Sequence, residues 1–251
     1  MRIFTNRDLE DLTSGNLLKK LILFSLPFLL TSLLQLFYTT ADLFTVGQFG
    51  GGSTSASAIG SNNALINLVI GLFLGMSLGA NVVVSNAKGR KDKESISRSL
   101  QSSFIISIFG GVIVGVIGYF CSRTFLAWMN TDPLIIDKAT TYLKLYFIGA
   151  PFILLFNTGS NILRAYGDSQ RPLIVLLISG IFNIGLNLIL VCFAKLDVLG
   201  VGIATTVSNA ISSIVIYLIL IFDKRIYVNF TFKNFYLAKN VAHALLNPPL
   251  I

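Results

Sequence analysis

One acid stands inside an apolar run. Of the eleven Asp and Glu residues in this chain of 251, ten fall in loops or tails, and Asp42 alone lies within a stretch apolar enough to cross a bilayer. Gln35 and Thr39 precede it at steps of four and three, which places all three on one face of a helix. Leu43, Phe44 and Val46 carry the apolar run past it. A polar stripe on a membrane helix turns toward the bundle interior, and an ionised carboxylate there costs about 3 kcal/mol or more. Such a group is suited to taking up a proton or a small cation. The ordinary alternative is a carboxylate at the membrane interface, because Asp42 lies about 30 Å of helix rise beyond Leu21.

Other apolar runs carry polar stripes of the same kind. Ser179, Asn183 and Asn187 are spaced by four, Thr205, Asn209 and Ser212 by four and three, and Asn157 and Asn161 by four. Taken singly, each side chain is better read as an interhelical hydrogen bond, about 0.6 to 2 kcal/mol apiece. Four stripes together point to a hydrated cavity. Little else could do chemistry. The lone histidine, His243, is in the tail, Cys121 and Cys192 are far apart in sequence, and no GxxxxGK[ST] loop occurs. Metal and redox chemistry, nucleophilic catalysis and direct ATP drive are therefore disfavoured, no organic cofactor is expected, and an enzyme is not the expected reading.

The elements that must position these residues are helices in a membrane. Apolar residues make up 54% of the chain and charged ones only 12%, about half the charge of an ordinary soluble domain. A net charge of +8 would suggest nucleic acid in a soluble protein, but here the basic residues sit in short loops, so no nucleic-acid partner is expected. Six runs reach the roughly 20 residues needed to span hydrocarbon: 21–46, 61–86, 101–120, 143–163, 172–193 and 198–222. They are continuous, not alternating, which predicts helices over barrel strands. With the N-terminus inside, fifteen Lys and Arg are cytoplasmic and four external (Arg123, Lys138, Lys144 and Lys195). The bias predicts N-in, C-in topology. The expected organisation is a cytoplasmic segment 1–20, a six-helix transmembrane lobe 21–222, and a cytoplasmic tail 223–251 that stops as a truncated chain would.

Small residues predict where helices approach closely. Gly71, Gly75 and Gly79 form one stripe and Gly111 and Gly115 another. Pro27 and Pro151 lie inside spans and should bend them or free a carbonyl.

Four stretches, Ser14 to Phe28 (SGNLLKKLILFSLPF), Ala41 to Gly50 (ADLFTVGQFG), Asn161 to Pro172 (NILRAYGDSQRP) and Gly200 to Ser212 (GVGIATTVSNAIS), together resemble the multidrug and toxic compound extrusion (MATE) family. The resemblance extends over about residues 14 to 225, and its most specific piece is Leu163 to Pro172. It implies an all-α membrane protein: one six-helix lobe of a transporter whose members have two such lobes and exchange a proton or sodium ion for organic cations or other amphipathic compounds. Asp42 matches the family's first-helix acid, Asn183 a fifth-helix asparagine and Thr205 a sixth-helix hydroxyl, which line the first lobe's ion-coupling cavity. Asn187 stands where many members have a second acid. That departure favours a proton over sodium as coupling ion.

The expected function is cation- or proton-coupled efflux in the cell membrane by a half-length chain. Gln35, Thr39, Asn157, Asn161 and Asn209 would line the cavity, and Pro27 would serve as the bend. The expected partners are the bilayer, an amphipathic or cationic small molecule, and a second six-helix lobe or further copies of the chain. A non-transporting fragment, a half-transporter that needs a second lobe, and a flippase for lipid-linked saccharides stay open as alternatives.

Overall fold

The computed structural model describes residues 17–90, 92–223 and 226, so the segment before residue 17 and most of the tail assigned to 223–251 lie outside the described residues. Among the described residues, seven α-helices follow in order: α1 (Leu17–Phe49), α2 (Gly52–Gly60), α3 (Asn63–Gly89), α4 (Lys93–Trp128), α5 (Ile136–Ala165), α6 (Gln170–Asn187) and α7 (Asp197–Phe222), with a π-helical turn Leu188–Phe193 continuing α6. They make six spans, with α2 and α3 sharing one. The spans agree with the six apolar runs, but the helices are longer. α4 has 36 residues and α5 has 30, because residues such as Ser95, Arg98, Arg123 and Lys138 continue the helix out of the hydrocarbon. Hydropathy marks the slab, whereas internal backbone hydrogen bonds decide where the helix stops.

α5 is the central helix, packed against α3, α4 and α7 and buried along most of its length, while α6 lies between α1 and α7. One apolar cluster joins Val84, Ile162, Leu163 and Ile216; another joins Phe73, Leu143, Phe147 and Leu154; a third joins Val46, Tyr142, Val191 and Val201. Large apolar side chains such as Leu33, Leu36, Phe37, Ile113 and Ile181 point outward, as suits a surface bathed in lipid or covered by another helical layer.

The two glycine stripes behave differently. A Cβ on Gly111 would lie 2.5 Å from Pro151 Cα, and one on Gly115 would lie 2.7 Å from the Phe147 carbonyl oxygen, so α4 and α5 touch backbone to backbone. Gly71 and Gly75 meet nothing within 4 Å, which corrects the expectation of close packing at those two positions, whereas Gly79 is buried.

The connections are held by polar locks. At one end, hydrogen bonds from the Ser95 hydroxyl (2.6 Å) and backbone N–H (3.0 Å) cap α4 on Asp92 and hold its carboxyl below the usual carboxylate range. At the other, Asp197 accepts from Gly51 N, Ser55 Oγ and Lys138 Nζ, each at 2.8 Å, tying the α1–α2 elbow to α5 and α7.

The Leu163–Pro172 stretch is a corner. Asp168 N donates to Leu163 O (3.0 Å) and Gly167 N to Arg164 O (2.8 Å), a Schellman closure of α5 that needs the φ of +84° at Gly167. Asp168 then accepts from Arg171 N (3.1 Å) and pairs with Arg171 Nε (3.0 Å), while the same guanidinium donates to Asp223 at the end of α7. Arg171 thus serves two largely buried carboxylates on two elements. Arg171→Leu should lower stability by about 3 kcal/mol, read as a fall in the thermal unfolding midpoint followed by circular dichroism.

Candidate functional site

Three of the polar stripes converge. α1 carries Asp42 about 10 Å before its end at Phe49, and α6 and α7 bring Asn187 and Thr205 against it. Asp42 is 5% exposed and Asn187 fully buried. Asn187 Nδ2 donates to Asp42 Oδ1, and Thr205 Oγ1 donates to Asp42 Oδ2 at 3.3 Å. Asn183 sits one turn from Asn187. Its amide oxygen accepts from Asn187 Nδ2 at 3.2 Å; turned over, the same amide would instead offer its nitrogen to Asp42 Oδ1 at 3.2 Å and its oxygen to Thr205 N at 3.3 Å. The carboxylate is therefore met by neutral dipoles, and no Lys, Arg or His lies within ion-pair distance among the described residues. The π-helical turn begins directly after Asn187, a backbone irregularity of the kind that recurs at functional sites.

Asp42 opens on a cleft of about 150 Å³ that α1, α3, α5, α6 and α7 line, with Gln35, Thr39, Asn157, Asn183, Thr205 and Asn209 on its wall. Among the residues lining it, Asp42 is the one with a charge. Ser179 also lines it and bridges α6 to α7 by donating to Ser208 O (2.8 Å) while accepting from Ser212 Oγ (2.5 Å). Asn161 does not join the cleft. It donates to Ser77 Oγ (2.7 Å) and accepts from Arg164 Nη1 (3.1 Å), so it fastens α5 to α3. Pro27 lies inside an unbroken α1, and its carbonyl accepts from Thr31 Oγ1 at 2.8 Å.

Sequence reasoning did not single out the aromatic wall. Tyr38, Tyr142 and Tyr146 line the same cleft, and Tyr38 packs on Gly180, where a Cβ would fall 1.8 Å from its ring. The Tyr146 hydroxyl, the Ser208 hydroxyl and the Asn187 amide oxygen are buried without a partner. A tyrosine inside an apolar run was the available signal, since its hydroxyl must find a partner once buried.

A bundle of six helices long and apolar enough to cross a membrane, with a buried carboxylate opening on a polar cleft, defines the class: a polytopic helical membrane protein. The MatE family model matches residues 27–189, and the chain belongs to that family. Its members are multi-pass plasma-membrane transporters. The chain is 30% identical over 203 residues to the "Probable multidrug resistance protein YpnP" of Bacillus subtilis (strain 168), covering 80% of this chain and 45% of that protein. It is also 30% identical over 200 residues to the "Multidrug export protein MepA" of Staphylococcus aureus (strain NCTC 8325 / PS 47), covering 78% and 43%. It thus spans about half the length of the curated relatives it matches. Among solved structures, "MATE in the bent conformation" superposes with a TM-score of 0.86 at 24% identity over 96% of this chain and 54% of that one, which speaks to the fold. An outward-facing "multidrug resistance MATE family transporter" superposes at 0.83 with 25% identity, covering 96% and 53%.

Proposed function

We propose that this chain forms one lobe of an ion-coupled exporter of amphipathic or cationic organic compounds, inserted N-in and C-in, with Asp42 as the coupling carboxylate and a proton as the coupling ion. The observation that carries the reading is a buried carboxylate held by the neutral donors Asn187 and Thr205 and facing a cleft. A proton or small cation is the counter-charge that this site lacks. Asn187, which by the resemblance stands where many family members have a second acid, turns a donor toward Asp42. A sodium ion wants several oxygen ligands and an amide N–H is a poor neighbour for it, so the donor set favours the proton. Neutralising Asp42 would weaken its charge-assisted bonds to Asn187 and Thr205 and loosen α1 from α6 and α7. Pro27 provides the place where α1 can bend, and substrate affinity falls while the proton is held.

A flippase for anionic saccharide carriers would want cations in the cleft, and its lining has none. The cleft is open to one side and the lobe carries wide apolar faces, which favours a complete cavity built with a second six-helix lobe or another copy of the chain.

The test is transport by the purified chain in liposomes with an imposed pH gradient and a fluorescent cationic dye. Dye movement driven by the gradient, and unresponsive to a sodium gradient, is expected. Correctly inserted protein that moves no dye, alone or with a co-expressed second lobe, would refute the exporter reading.

A further inference from the structure

A second cleft, of about 190 Å³, sits in the seam of α4 and α5 and shares no residue with the one at Asp42. Val112, Val116 and Phe120 form one wall, Ile148 and Pro151 the other, and Gly115 is buried at its floor. Val112, Val116, Phe120 and Ile148 are all exposed, so the cleft opens sideways, where the acyl chains of the bilayer run.

Its rim carries a cation. Lys144 lies one turn before Ile148 on α5, and its Nζ stands 5.1 Å from the centroid of the Tyr119 ring, which also lines the cleft. No carboxylate lies within ion-pair distance of Lys144 among the described residues. At the same end of the lobe, Arg123 is paired with Asp137 at 2.7 Å and Lys138 with Asp197 at 2.8 Å. Lys144 is about 12 Å along a helix some 45 Å long. Against about 30 Å of hydrocarbon, that level is near the membrane boundary, where a lysine can snorkel to lipid phosphates.

We propose that this seam holds one anionic phospholipid, its acyl chain in the cleft and its phosphate on Lys144. Charge complementarity selects the occupant: an apolar slot beneath one cation without a carboxylate matches a fatty tail beneath one phosphate. A second copy of the chain docked here about a two-fold axis would bring Lys144 toward its own image, placing like charges together.

The full chain, purified in detergent and exposed to an equimolar mixture of phosphatidylglycerol and phosphatidylcholine, is then examined by native mass spectrometry. One retained lipid is expected, with phosphatidylglycerol preferred. Lys144→Gln should lower that preference about fivefold, while Lys195→Gln, at an exposed lysine on the same end, should leave it unchanged. Ile148→Trp should fill the slot and reduce retention of both lipids. An unaltered preference in Lys144→Gln, unaltered retention in a helical Ile148→Trp protein, or a lipid-free dimer in place of the lipid-bound chain would each overturn the assignment. Should Ile148→Trp fail to fold, the Lys144→Gln preference decides alone.

Discussion

Replacing Asp42 by Asn should abolish dye movement driven by a pH gradient. The substitution keeps the shape of the side chain but removes both its charge and its capacity to take up a proton, so the expected loss is that of coupling and not of folding. One proton crossing about 150 mV carries about 3.5 kcal/mol, which sustains a substrate gradient of roughly two to three decades. Without a titrating group, that gradient has no handle on the lobe. The amide introduced at this position still offers an oxygen to Asn187 and Thr205, so helicity and thermal midpoint should change little. The liposome assay run with and without the pH gradient checks the point: equal, gradient-independent dye movement is expected, and wild-type accumulation in the Asp42→Asn protein would remove Asp42 from the mechanism. Asn187→Asp is the informative companion. It rebuilds a pair of carboxylates, and a gain of response to a sodium gradient would tie the proton preference to the amide at that position.

That the residues of the candidate site could be grouped from the sequence has a plain cause. A carboxylate or an asparagine inside an apolar run stands out against its background, and although each alone fits an interface group or an interhelical hydrogen bond, its spacing names the face on which it lies. Asp42, Asn183, Asn187 and Thr205 meet for that reason. Periodicity does not say which neighbour the face will meet. Asn157 and Asn161 share a spacing of four, yet the first lines the cleft and the second binds Ser77 and Arg164, because α5 is surrounded and its polar groups can be claimed from more than one side. The aromatic wall escaped for another reason: tyrosines pass in a hydropathy reading as part of the apolar background. Helix ends and the short α2 escaped because neither changes the hydrophobic balance of a span, whereas the consecutive glycines at 50–52 were the local sign that α1 stops there.

The glycine stripes lead to the second large effect. Gly111→Leu should destroy the fold of the lobe, whereas Gly71→Leu should leave its stability within about 0.5 kcal/mol. The two look alike in sequence, each being one member of a small-residue stripe on a membrane helix. In the structure the Gly111 Cβ position is 2.5 Å from Pro151 Cα and 3.1 Å from Pro151 N. Those are backbone atoms of the most buried helix, with no flexible side chain to swing away, so α4 and α5 must separate along their contact. An overpacking cost of about 3 kcal/mol or more is expected, seen as loss of folded protein on purification or a steep fall in the thermal midpoint. Gly71 meets nothing within 4 Å and lies beside Ile70, which lines the Asp42 cleft. Gly71 and Gly75 are therefore unused inside the lobe, whereas Gly79, the third member of the stripe, is buried in it. If Gly71→Leu leaves the fold intact and lowers dye movement, those two positions are where the rest of the exporter approaches. If it leaves both unchanged, they face lipid and the second half of the cavity must be closed from elsewhere.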